Sequence, residues 1–213
     1  MSVSKKRVKK KSVICFVLIL VLVIVFCLFL FFRKFRKKEP VYVKPEVIDK
    51  IDNFDYELSD QKSDYYNGLF NSLKDLLNQD DYENKDYAVL IGRLFLADFY
   101  DLNSKVMKSD IGGTQFVYSS YRTDFEKGAL DTVYKSVESN VYGDRKQELP
   151  IIESVENTDL ELKLFEYNGD IDYDAYYLTM KVSYVKDLGY PTDILLVLIH
   201  NGDKLEIAKM EEL

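Results

Sequence analysis

Hydrophobic and polar positions along the chain fall into three regimes. Val13 to Phe32 is an unbroken apolar run of 20 residues in which only Cys15 and Cys27 interrupt Val, Ile, Leu and Phe. At about 1.5 Å of rise per residue the run makes roughly 30 Å of helix, the thickness of a bilayer's hydrocarbon core, and so predicts one transmembrane helix. From residue 59 the apolar positions recur with a helical period. Tyr66, Leu69, Phe70, Leu73, Leu76 and Leu77 mark a first helix, with Ser63 as N-cap and an end near Asn78. Tyr87, Leu90, Ile91, Leu94, Phe95, Phe99 and Leu102 give a second, from about Asn84 to Asn103, whose apolar face is broad enough to be buried between other elements. Tyr121, Phe125, Ala129, Val133 and Val137 give a third, from Ser119 or Ser120 to Asn140.

From residue 148 the period drops to two. Pro150 to Val155 reads as a short strand, and Leu160, Leu162 and Leu164 alternate with Glu161 and Lys163. Tyr176, Leu178, Met180, Val182 and Tyr184 alternate with Tyr177, Thr179, Lys181 and Ser183, a long strand with one wet face. Ile194 to Ile199 is continuously apolar, Asn201-Gly202 is a hairpin signal, and Leu205 and Ile207 lie on the return strand; Asn168-Gly169 is a similar turn. Helices followed by an antiparallel meander make an α+β domain of about three helices on a sheet of four to five strands. The expected division is a basic tail at 1–12, the span at 13–32, a basic flank and linker at 33–58 with Pro40 and Pro45 favouring extended chain, and a globular domain at 59–213.

Charge sharpens this division. Of the 29 Lys and Arg, eleven lie in residues 1–38, which contain no acid, so residues 39–213 carry 18 bases against all 36 acids, a net of −18. The bases flank the apolar run: Lys9, Lys10 and Lys11 on one side, Arg33, Lys34 and Arg36 on the other, where they would meet lipid headgroups. No small-residue cleavage site follows Phe32, so the run reads as an uncleaved anchor in a cell membrane, tail inside and domain outside. A domain this acidic argues against a nucleic-acid partner. Both cysteines lie in the run, so the domain has neither disulfide nor thiolate.

Three helices, then Tyr177-Leu-Thr-Met-Lys-Val-Ser-Tyr184, Gly189-Tyr-Pro191, Ile194-Leu-Leu-Val-Leu-Ile199 and Asn201-Gly-Asp203, resemble the cystatin-like cone of the nuclear-transport-factor-two superfamily. With a basic tail and one span, the layout is similar to the bitopic scaffold subunits of type IV secretion and conjugation machines. Their Gram-negative members often carry an Asn-Pro-x-Gly loop, of which Gly189-Tyr190-Pro191 is the nearest echo here. The resemblance implies a curled sheet, a pocket in which related enzymes use Asp, Tyr and His, and membrane or envelope proteins as partners.

Candidate chemistry is sparse. His200 is the sole histidine and sits at a strand end beside the Asn-Gly turn, the place of an exposed hairpin residue. Asp98 lies on the second helix beside Leu94, Phe95 and Phe99; pointing inward among tyrosines it would carry a raised pKa and act as a base, and on the helix flank it would face water. Asp170, Asp172 and Asp174 begin like a calcium loop, but Ala175 and Lys181 stand where Gly and Glu are needed, which leaves a solvated acidic turn or a weak calcium site. Gly112-Gly113 lacks the Lys and the Ser or Thr of a phosphate cradle and reads as a structured turn. No cofactor is expected. The 17 tyrosines, without any Trp, suit an interaction surface. The leading expectation is a membrane-anchored assembly protein acting through protein–protein contacts, with a possible homo-oligomer; the alternatives are a small-molecule binder or enzyme using the pocket, and a sensor signalling through its tail.

Overall fold

The computed structural model describes residues 4–34 and 45–213, with side chains described for residues 14–29 and 45–213. The chain divides into two compact units, Met1–Pro40 and Val41–Leu213. The first contains helix α1, Ser4–Lys34. Among the described residues no helix is long and apolar enough to cross a membrane. The single-pass span from Val13 to Phe32 and the membrane localisation are corrected accordingly. The side chains of Val13, Phe32, Lys9, Lys10, Lys11, Arg33 and Lys34, and Arg36 as a whole, lie outside the described residues.

The second unit is α+β, with the elements β1 (Val47–Ile51), β2 (Tyr56–Ser59), α2 (Asp64–Leu77), α3 (Asn84–Phe99), α4 (Arg122–Asp131), β3 (Ile152–Tyr167), β4 (Asp170–Tyr184), β5 (Asp193–Asn201) and β6 (Lys204–Glu212). β3 to β6 form an antiparallel meander in sequence order, and β1 and β2 pair as a separate two-stranded sheet. The meander is not curled, so the cone expected from the resemblance is corrected. Its physical reason is visible in the two faces. α3 lies against one face only, and the other carries a small apolar cluster of its own, centred on Ala175, Val197 and Ile199, instead of wrapping round a helix.

α3 is the centre of the fold. Ala88, Ile91, Leu94, Phe95, Leu96 and Phe99 are almost completely buried, as the broad apolar face requires. Gly92 lets the helix approach the sheet closely: a Cβ there would stand 3.1 Å from Leu178 Cδ1 and 3.3 Å from Leu196 Cδ1. α2 packs alongside through Tyr66, Leu69, Phe70 and Leu73, and Ser63 caps it by accepting from the Tyr66 N–H at 3.2 Å.

Both sheet hairpins turn on two residues. Asn168 and Gly169 both have positive φ (49° and 89°), the geometry of a type I′ turn. At the second, Asn201 already pairs with Lys204, so the turn is Gly202-Asp203, one residue later than the Asn-Gly signal suggests. Pro150–Val155 and Leu160–Leu164 merge into the single long β3, which bends through three register shifts.

Two stretches depart from their patterns. β1 and β2 form within residues read as linker, where Ile51, Phe54, Tyr56 and Leu58 are buried. The Tyr56 and Tyr87 hydroxyls meet at 2.6 Å, and the Tyr87 hydroxyl accepts from the Leu205 N–H at 3.3 Å, tying this hairpin to α3 and β6. α4 stops at Asp131 instead of running to Asn140, because Tyr134 turns inward, fully buried, to donate to the Phe99 carbonyl at 2.7 Å. We expect Tyr87→Phe to lower stability by about 1–3 kcal/mol, because it strands the buried Tyr56 hydroxyl and Leu205 N–H. The shift should appear in the urea midpoint with an unchanged slope.

Candidate functional site

Three groups of side chains stand out, and the first is built on Asp98. It is buried, and its Oδ1 accepts from Lys105 Nζ at 2.6 Å and Lys62 Nζ at 2.7 Å, while its Oδ2 accepts from the Gly113 N–H at 2.8 Å. Burial works to raise this carboxyl, but the two ammonium groups outweigh it and hold it well below the usual carboxylate range. Lys105, almost fully buried, is correspondingly held above the usual lysine range: Asp98 overcomes the effect of its burial. The raised-pKa base is thus corrected. Asp98 is an ionised anchor whose oxygens are occupied by the protein itself.

Gly112 and Gly113 belong to the same assembly. A Cβ on Gly112 would lie 2.2 Å from the Asp98 carbonyl oxygen, and Gly113 has φ +76° with Phe95 at 2.6 Å from its would-be Cβ. Tyr134 closes it, its hydroxyl accepting from the Gly112 N–H at 3.0 Å. The glycine pair is a structured turn clamped onto the end of α3.

The second group brings two sequence candidates together. Asp172 Oδ2 accepts from the His200 backbone N–H at 2.7 Å and lies 3.0 Å from His200 Nδ1; Oδ1 accepts from the Asp174 N–H at 3.0 Å. Burial pushes the Asp172 carboxyl up, yet these hydrogen bonds bring it below its ordinary value. His200 is half-exposed and lies between two open clefts of about 620 and 550 Å³, one towards Tyr82 and Asp203, the other towards Tyr173 and Tyr176. Its ring is therefore oriented by a carboxylate, an arrangement that can accept or relay a proton. Asp170 and Asp174 are exposed and do not converge with Asp172; among the described residues no group of three acids, His or Cys could hold a metal ion.

The third group went unread in the sequence. On the sheet face away from α3, the buried Ala175, Val197 and Ile199 form a floor of modest side chains beneath a row of rings. Tyr121, Tyr118, Tyr167, Phe165 and Tyr177 follow one another with ring centres 5.2, 5.4, 6.4 and 6.3 Å apart. Lys163 Nζ sits 5.5 Å above the Tyr177 ring. Tyr118 is fixed by its N–H, which donates to the Ile207 carbonyl at 2.9 Å beside a parallel bridge from Val117 to Ile207. The available signal was that both phases of β3 are apolar, Leu160, Leu162 and Leu164 in one and Phe165 and Tyr167 in the other.

Compared with protein-family models, with characterised proteins and with solved structures, the chain matches none. The expected kinship with secretion and conjugation scaffolds and a cell-envelope role find no support, and are set aside with the curled sheet and the span.

Asp98→Asn is expected to destabilise the chain by about 3–5 kcal/mol at neutral pH, since Lys105 keeps a buried charge without its partner. The pH dependence has a definite sign. A carboxyl held low in the folded state stabilises fully above its unfolded value near 4, and loses that contribution as pH falls below it. The gap between native chain and variant in urea unfolding should therefore narrow as the solution is acidified below about pH 4. Gly112→Ala should cost more than about 2 kcal/mol by the same measurement, because its Cβ meets backbone and not a yielding side chain.

Proposed function

We propose that the unit from Val41 to Leu213 is a protein-interaction module, and that the row of rings on the sheet face away from α3 is its binding surface. The observation that carries this reading is the arrangement itself: four aromatic rings in sequence over a buried floor, with Tyr121 continuing the row from Tyr118, and no residue of α2, α3 or α4 in the cluster. Rigid amphipathic rings offer large contact area at low entropic cost, which is why Tyr concentrates at protein interfaces.

The rim specifies the kind of partner. Lys163 pairs with Glu161, and Lys209 with Glu211 at 2.6 Å, so the charges beside the rings are largely neutralised within their own strands. A neutralised rim on an acidic domain suits an apolar patch of another protein and repels a polyanion such as nucleic acid. The His200–Asp172 pair adds a polar, orientable group at the end of the same sheet.

A photo-crosslinking residue placed at Tyr167 or Tyr177 of the full chain, expressed in its own cells, tests the assignment. Both positions should yield discrete adducts with a protein partner, and position Asp81, on an exposed loop, should not. Replacing Phe165 and Tyr167 together by Ser should reduce those adducts about tenfold, the scale of losing an interface anchor, with little change in thermal midpoint. Equal adducts from position 81, or no effect of the double substitution, would overturn the reading.

A further inference from the structure

We propose that β3 is a self-pairing edge, through which a second copy of this chain joins the sheet antiparallel about a twofold axis at Leu162. The edge adjoins the row of rings and shares Glu161 and Lys163 with its rim, but the proposal does not depend on that reading.

β3 is an edge of the meander, and among the described strands it pairs with β4 alone. Near its start the edge is occupied: the Val155 N–H donates to the Tyr65 hydroxyl at 2.8 Å, and its carbonyl accepts from Arg93 Nε at 2.9 Å. Val155 faces the core, opposite Val182, and turns its backbone groups away from β4. β3 shifts register once between Asn157 and Asp159, after which Leu160 and Leu162 pair with Leu178 and Tyr176 on the face of Val182; these two, and Leu164 by alternation from Leu162, turn their backbone groups to the same edge. No described side chain bonds this edge at Leu160 or Leu162; the Leu164 carbonyl accepts a long bond of 3.4 Å from the Tyr177 hydroxyl. The strand also runs past the helical layer. Leu162 is 53% and Leu164 48% exposed, although Leu162 pairs with Tyr176 on the face that α3 covers elsewhere. Long, apolar, unpaired edges template strand addition, and this one lacks the proline and inward charge that usually prevent it.

The occupant is specified by the residues themselves. Leu160-Glu161-Leu162-Lys163-Leu164 reads as its own complement when reversed. With the axis at Leu162, Leu162 meets its counterpart, Leu160 meets Leu164, and both form the hydrogen-bonding pairs, joining the leucines of both copies on one face. On the other face Glu161 meets Lys163 in both directions, at the closer, non-hydrogen-bonding positions. Moving the axis one residue either way sets Glu161 against Glu161 or Lys163 against Lys163, and moving it to Leu160 sets Glu161 against Asp159. Cross-strand like charges disfavour those registers. The two meanders then form one continuous sheet of both copies.

The full chain examined by analytical ultracentrifugation over a range of concentration tests this. The native chain should show a reversible monomer–dimer equilibrium. Glu161→Lys and Lys163→Glu should each weaken it about tenfold or more, because each places four like charges across the axis. An equimolar mixture of the two variants should recover the dimer, since the paired ammonium groups of one copy then face the paired carboxylates of the other. Tyr118→Ala, on the ring face, should leave the equilibrium unchanged. A native chain that stays monomeric throughout, single variants that dimerise like the native chain, or a mixture that does not recover would each overturn the proposal; unchanged circular dichroism of the variants excludes unfolding as the cause of a loss.

Discussion

Asp98 cannot be buried alone. An ionised carboxylate removed from water must recover its solvation from fixed partners, and each partner here comes from a different part of the chain. Lys62 precedes α2, Lys105 follows the turn after α3, and Gly113 lies in the loop beyond it. One charge thereby holds the entry to α2, the end of α3 and the glycine loop in a single arrangement. Removing Asp98 leaves the buried Lys105 with an uncompensated charge, which is why these segments form a unit. The glycine loop in turn delivers Phe116 and Val117 to the core and Tyr118 to the far face of the sheet.

That delivery gives the sheet two different faces. The inner face is closed by α3, which reaches it through the gap left at Gly92. The outer face is closed only by its own long side chains, with Tyr118 crossing from the loop to meet Tyr167. The β3–β4 hairpin extends beyond the helices, so leucines that alternate as though for a core remain in solvent. A flat meander with one helical layer leaves a face and an edge open, whereas a curled sheet would have enclosed the first and shortened the second. Both proposed interaction surfaces follow from that one difference in shape.

Local patterns carry the secondary structure well where the period is long and uninterrupted. α2 and α3 begin where Ser63 and Asn84 place them, and the Asn168-Gly169 turn pairs its strands as its composition requires. The third helix is shorter than its pattern because Val133 and Val137 keep a helical spacing, while the buried hydroxyl of Tyr134 finds its partner on another element. The β1–β2 hairpin is hidden by the prolines that precede it and by its acids, and its stability comes from docking Phe54 and Tyr56 on Tyr87 rather than from alternation. Of the candidate residues, Asp98 is visible as an acid in an apolar setting, but the sign of its pKa shift depends on two lysines outside its helix. Asp172 and His200 are 28 positions apart, and only the pairing of neighbouring strands brings them together.

The sequence by itself determined the α+β order, the central helix, the hairpin turns, the acidic balance and the palindromic segment at Leu162, because each is a property of spacing or composition within a few residues. The tertiary structure alone decided that the sheet is not curled, that Asp98 is an anchor, that a row of rings lines the face away from α3 and that no described residue bonds the β3 edge at Leu160 or Leu162. Those are consequences of which distant segments share a surface, and no local period encodes that.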